Sequence, residues 1–169
     1  MKAALVALLF AVPAFAQLPS ASPMDACGNA YVSFKVKLDE SQHTLLPPDP
    51  GKARVFFFQD AGTTSTLGYP TVKVAIDGAW VGANHGNSYF SVAVEPGVHH
   101  LCINLQSSFA AQRAEFAHFT AEAGKVYYYR TRLIMSRSLE LLELNPIDSD
   151  QGKYLVGAFP LSVASPKKP

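Results

Sequence analysis

The feature that most constrains this chain is a two-residue rhythm of apolar side chains, broken at short intervals by glycine and proline. In YVSFKVKL, Val32, Phe34, Val36 and Leu38 alternate with Ser33, Lys35 and Lys37. In PTVKVAID, Val72, Val74 and Ile76 share one side and Lys73 takes the other; in SYFSVAVE, Phe90, Val92 and Val94 alternate with Ser91 and Ala93. Successive side chains of an extended strand point to opposite faces, so a period of two marks a sheet with one buried face. ARVFFFQ is apolar on both faces, which suits a strand in the middle of a sheet. KVYYYRTRLIM is aromatic and β-branched, a strong strand, and SLELLEL is expected as another. AEFAHFTAE fits either a strand or an amphipathic helix; Thr120 and the Gly124-Lys125 turn favour the strand.

Asp77-Gly78 and Pro96-Gly97 punctuate the pattern, because glycine accepts the positive φ that a two-residue hairpin turn requires. AWVG resumes after the first of these and then loops through ANHGN, Ala83 to Asn87. After Asn145-Pro146, DSDQGKYLVGAF is expected to hold a short helix capped by Asp148 or Ser149. The whole predicts an all-β fold, an antiparallel β-sandwich of about seven or eight strands with at most a short C-terminal helix.

The amino terminus, MKAALVALLFAVPAFAQ, has a basic residue, an apolar run and the small-x-small sequence Ala14-Phe15-Ala16, the order of a cleavable export signal. The run is too short to cross a bilayer as a helix. Cys27 follows Met24-Asp25-Ala26, a poor lipobox, so no lipid anchor is expected. The expected organisation is a signal peptide over 1–16, a linker over 17–30, a sandwich domain over 31–160 and a tail over 161–169. Removing 16 of the 169 residues also removes Lys2, leaving 13 basic residues against 13 acidic ones. That balance argues against nucleic acid as a partner, since phosphate contacts need clustered Lys and Arg. Cys27 and Cys102, the two cysteines of a chain bound for an oxidising compartment, are expected to pair as a disulfide, with a thiolate metal site as the alternative.

Residues 94–103, VEPGVHHLCI, hold the densest group of chemistry-bearing side chains. On a strand His99 shares a face with Leu101, Ile103 and Leu105, whereas His100 shares one with Cys102 and Asn104. The two neighbouring histidines therefore do not bind one ion together. A metal site is expected, if anywhere, from His85, His100 and His118, with His43 further off. A hydrolase triad can be written from Ser88, Asp77 and His99 or His100, but GNSYF lacks the G-x-S-x-G elbow. The paired acids Asp39-Glu40 and Asp148-x-Asp150 fall in polar stretches and suit loops or helix caps better than glycoside hydrolysis. Tyr127 and Tyr129 share a strand face near Arg130 and Arg132, either as core or as a stacking platform; the core reading is the simpler. Trp80, just past the Asp-Gly turn, is the best candidate for an exposed anchor, together with Asn84, His85 and Asn87 of the ANHGN loop.

Four blocks, ARVFFFQ, PTVKVAIDGAWVG, GNSYFSVAVEPGVHHLCI and FTAEAGKVYYYRTRL, are similar in order and spacing to a bacterial family of domains of unknown function, small secreted proteins and lipoproteins. The central part also resembles the PEGA-type envelope domains, which are β-sandwich modules. The resemblance covers Lys52 to Leu144 and implies an exported, non-catalytic module with no catalytic residues to carry over. Lipid anchoring, common among the relatives, is not implied here because the lipobox is missing. The function expected is therefore a non-catalytic periplasmic or secreted β-sandwich that contacts an envelope protein or glycan, without a cofactor or a membrane span. The rivals are a histidine-based metal-binding protein and a small hydrolase.

Overall fold

The structure, a computed structural model, describes residues 26–28, 32–61, 70–106, 114–135 and 140–167. The expected signal peptide, residues 1–16, and most of the expected linker lie outside the described residues. Among those described, the chain forms β1 (Phe34–Asp39), β2 (Ala53–Asp60), β3 (Thr71–Ile76), β4 (Ala79–His85), β5 (Ser88–Val94), β6 (Gly97–Leu105), β7 (Ala114–Ala121), β8 (Val126–Met135), β9 (Glu140–Pro146), α1 (Ser149–Ala158) and β10 (Leu161–Pro166). A six-stranded sheet in the order β1-β10-β5-β2-β8-β9 faces a four-stranded sheet in the order β4-β3-β6-β7. The expected sandwich is thus present, with more strands than the seven or eight expected. It is also not wholly antiparallel, because β2 pairs with β8, and β10 with β5, in parallel.

The doubly apolar run of β2 explains the layering. Val55 and Phe57 point into the space between the sheets and meet Val72, Val74, Leu101 and Ile103, all fully buried or nearly so. Phe56 and Phe58 point the other way, into a second core with Tyr89, Tyr128, Leu155 and Val156. Each such ring removed from water is worth about 2–3 kcal/mol, so both faces of this one strand need a cover. On the outer side the cover is α1. Asp148 caps it as expected, its Oδ1 accepting the N–H groups of Asp150 and Gln151 at 2.9 Å each, which satisfies two donors that the first turn leaves open.

Two expectations change. Leu161 to Pro166, read as part of a tail, is a strand that pairs antiparallel with β1 over six residues and sits inside the larger sheet. Ala83 to His85, read as loop, continues β4, leaving only Gly86 and Asn87 to turn the chain. The Asp77-Gly78 turn is as expected: both residues have positive φ, 50° and 80°, the pairing that matches strand twist in a two-residue hairpin.

The Cys27–Cys102 disulfide is formed, with 5.1 Å between the Cα atoms. It seats residues 26–28 on the outer face of the four-stranded sheet, where Ala26, Ala75 and Cys102 make a small core beside Trp80. The strap continues at Val32, whose carbonyl accepts from Lys73 Nζ at 2.8 Å. It then enters β1, where the Gln106 side chain bonds both the N–H and the carbonyl of Phe34.

Candidate functional site

Asp77 organises the chemistry-bearing end of the four-stranded sheet. Its N–H donates to the His100 carbonyl at 2.9 Å, and its Oδ1 accepts the His100 N–H at 2.8 Å. Both backbone groups of His100 therefore point toward the β3–β4 hairpin and away from β7. Since His100 lies opposite His118 on β7, the two form a non-hydrogen-bonded antiparallel pair. That is the close kind, with Cα atoms about 4.5 Å apart and side chains near one another. Val98 with Thr120, and Cys102 with Phe116, stand in register on either side, two residues away and on the same face.

The result is a stripe on the outer face of β6 and β7. Val98 is 61% exposed and Phe116 39%; His118 is exposed and His100 half-buried. The two imidazoles have centroids 6.4 Å apart. Between the strap and the strands a depression of about 190 Å³ is lined by Ala26, His100, Leu101, Phe116, Ala117 and His118. Beyond the stripe β7 ends the sheet, so among the described strands it is hydrogen-bonded on one side only.

The neighbouring His99 belongs to the opposite face, as the alternation predicts, and packs on Phe119 at 5.6 Å between centroids. Its Nδ1 lies 2.6 Å from Asp77 Oδ2 and its Nε2 2.7 Å from the Glu95 carbonyl oxygen. The ring is therefore held at both nitrogens. The Asp–His half of the conceivable triad thus exists. Ser88 is elsewhere: buried on β5, it donates to Asn84 Oδ1 and accepts from the His85 N–H. His85 pairs with Thr71, six residues along β3 from Asp77, a span of about 20 Å at strand rise. The nitrogen of His99 that a nucleophile would use is taken by Glu95. These residues close a hairpin and do not assemble a hydrolytic centre.

His85 is remote from His100, which bonds to Asp77, and from His118 opposite it, and His85 Nδ1 is 3.0 Å from Thr71 Oγ1. Among the described residues no three His, Cys, Asp or Glu side chains come together to hold a metal ion. The acid pairs have local roles: Asp39 accepts twice from Ser41, bonds that hold its carboxyl below the usual carboxylate range, and Asp148 caps α1.

The other expected contact residues are more buried than a docking surface requires. Trp80 is half-buried; Lys73 Nζ sits 4.2 Å above its ring, and any side chain at Gly28 would collide with the indole. It seats the strap, and burial there pushes the Lys73 ammonium below its ordinary value. Asn84 is 1% exposed and ties the two sheets together, its Nδ2 donating to the Phe57 carbonyl. Asn87 Oδ1 accepts the Ala61 N–H. Tyr129 is buried and Tyr127 partly so, both against the inner core, so the simpler reading of the tyrosines holds. Sequence reasoning passed over Val98 and Phe116. Their only signal was an apolar residue on the polar side of an alternating strand.

The model of a family described as protein of unknown function (DUF2846) matches residues 49–142, just over half of the chain. No curated protein and no solved structure matches it.

Proposed function

The chain belongs to the DUF2846 family, and on that premise we propose that it is an exported, non-catalytic binding module whose contact face is the outer surface of β6 and β7, and whose partner is a protein of the cell envelope. The observation that carries this is the stripe itself: Val98 on β6 and Phe116 on β7 are exposed on one face, and among the described strands β7 is hydrogen-bonded on one side only. Apolar side chains next to unpaired backbone groups suit a protein that adds a strand or packs a side chain against β7. A glycan would call for a platform of several exposed flat aromatics; the expected ones, Trp80, Tyr127 and Tyr129, are turned into the fold, and Phe116 is the one large aromatic exposed on this face among the described residues. Export is supported by the signal-like segment 1–16 and by the disulfide, which persists in oxidising compartments. Among the described residues no helix is long and apolar enough to cross a membrane. The absence of catalysis is part of the proposal; Asp77, His99 and Ser88, the conceivable hydrolytic trio, have structural partners.

The test is site-specific photo-cross-linking in living cells, with the probe at position 98, 116 or 153. Lys153 is exposed on α1, on the far side of the molecule. A discrete protein adduct of the same mass from 98 and 116, absent from 153, is the expected result. Adducts that are equal at all three positions, or absent at 98 and 116, would refute the contact face.

A further inference from the structure

All five histidines of the chain lie among the described residues, and they divide into two groups. His43, His85 and His99 each place a ring nitrogen within hydrogen-bond distance of another group: the Val156 and Glu40 carbonyls, Thr71 Oγ1, and Asp77 with Glu95, respectively. His100 and His118 have no hydrogen bond to a ring nitrogen among the described residues, and they face each other. We propose that His100 and His118 form a two-imidazole site for a divalent transition-metal ion, tighter for Cu²⁺ than for Zn²⁺, with the remaining positions of the ion filled by water.

Three features support the assignment. The close, non-hydrogen-bonded register fixes the two Cβ atoms where both rings reach one point from the same side of the sheet. Two imidazoles on one tetrahedral ion, with nitrogen–metal bonds near 2.0–2.1 Å, have centroids about 5 Å apart. The observed 6.4 Å exceeds that by only about 1 Å, so binding requires the two side chains to rotate toward each other. Next, the site has room and access, since the depression beside Ala26 opens to solvent at His118. Finally, Asp77 bonds both backbone groups of His100, so the backbone that carries one ligand is fixed before the ion arrives. Imidazole suits Cu²⁺ and Zn²⁺, and the general order of divalent affinities places Cu²⁺ above Zn²⁺. Two protein ligands are fewer than the three or four of catalytic and structural zinc sites, so the ion exchanges readily. None of this depends on the contact face proposed above.

Isothermal titration of the untagged, disulfide-intact protein with CuCl₂ and with ZnCl₂ tests the site directly. One ion should bind per chain, and His100→Ala and His118→Ala should each weaken binding at least tenfold, while His85→Ala leaves it unchanged. Electron paramagnetic resonance of the Cu²⁺ form should show two imidazole nitrogens in the wild type and one in either variant. His118 is exposed, so His118→Ala is expected to keep the wild-type urea midpoint without metal, which separates a lost ligand from a lost fold. No saturable binding, or binding that survives His118→Ala in a folded protein, or an equal loss in His85→Ala, overturns the assignment.

Discussion

Two glycines five residues apart in α1 should respond to the same substitution with opposite sign. Gly157 faces open space: an added Cβ would meet nothing within 4 Å. Replacing it with alanine removes backbone freedom from the unfolded chain and should stabilise the protein by about 0.5–1 kcal/mol. Gly152 is buried, and its Cβ would land on Cδ1, Cγ and Cε1 of Tyr128. That ring cannot step aside, because it is stacked on Phe56 at 5.5 Å and on Phe58 at 6.4 Å in the core that α1 covers. Overpacking of this kind costs about 1–3 kcal/mol, which outweighs the helix gain of about 1 kcal/mol. Three ring atoms would lie closer to the added Cβ than real contacts allow, which puts the cost in the upper part of that range, so Gly152→Ala should destabilise by about 1–2 kcal/mol. Urea unfolding followed by fluorescence of Trp80, the only tryptophan, gives both values; Trp80 lies on the opposite sheet, so it reports loss of the whole domain. A second substitution, Tyr128→Leu, should recover part of the loss in a double-mutant cycle. If Gly152→Ala proves as stable as the wild type, the helix does not press on the sheet as described.

Removal of the disulfide by Cys27→Ala with Cys102→Ala should cost about 4 kcal/mol on the chain-entropy argument for a closed loop of this size, the sequence separation being 75; a loss below about 1 kcal/mol in urea unfolding would show that the strap constrains little. Asp77→Ala removes the two side-chain acceptor contacts to His99 and His100 and places alanine at a φ of 50°. It should destabilise by about 1–3 kcal/mol, with Asp77→Asn milder because asparagine tolerates that φ and keeps one acceptor. Burial raises the pKa of Tyr89, Tyr128 and Tyr129. The fold thus favours their neutral form, so their contribution is complete below the ordinary tyrosine value of about 10 and is lost as pH rises beyond it. In alkaline titration, tyrosinate absorbance from these rings should therefore appear together with loss of near-ultraviolet circular dichroism, and gradual ionisation of a folded protein would contradict the packing.

Much of the fold was legible because alternation and turn chemistry agreed. Val72, Val74 and Ile76 with Asp77-Gly78 specify a strand and the hairpin that follows, and Asp148 before an apolar helical stretch specifies a cap. The last strand was not legible. LSVASP is short, small and ends in proline, and its partner β1 lies more than 120 residues earlier, so no local signal announces the pairing. The parallel union of β2 and β8 is equally non-local. At the site, the sequence separated His99 from His100 by face, but it had no means of putting His118 opposite His100. That depends on the β6–β7 register, which a shift of one residue would change for every side chain. Trp80 and Asn84 misled for a related reason: a hairpin end is a place of exposure only when nothing crosses it, and here the strap crosses one side while the second sheet takes the other.

The sulfur bridge also sets how the molecule carries load. β1 lies at the margin of its sheet, where among the described strands β10 is its one hydrogen-bonded neighbour, and a pull applied at its own end would peel it away one bond pair at a time. But tension drawn in from the amino-terminal side meets Cys27 first and passes through the bridge to Cys102 in β6, which is flanked by β3 and β7. The marginal strand sits slack inside a covalent ring. To extend the chain from that end, β6 must be sheared from both neighbours at once, so the marginal strand β1 is not the point at which the domain yields.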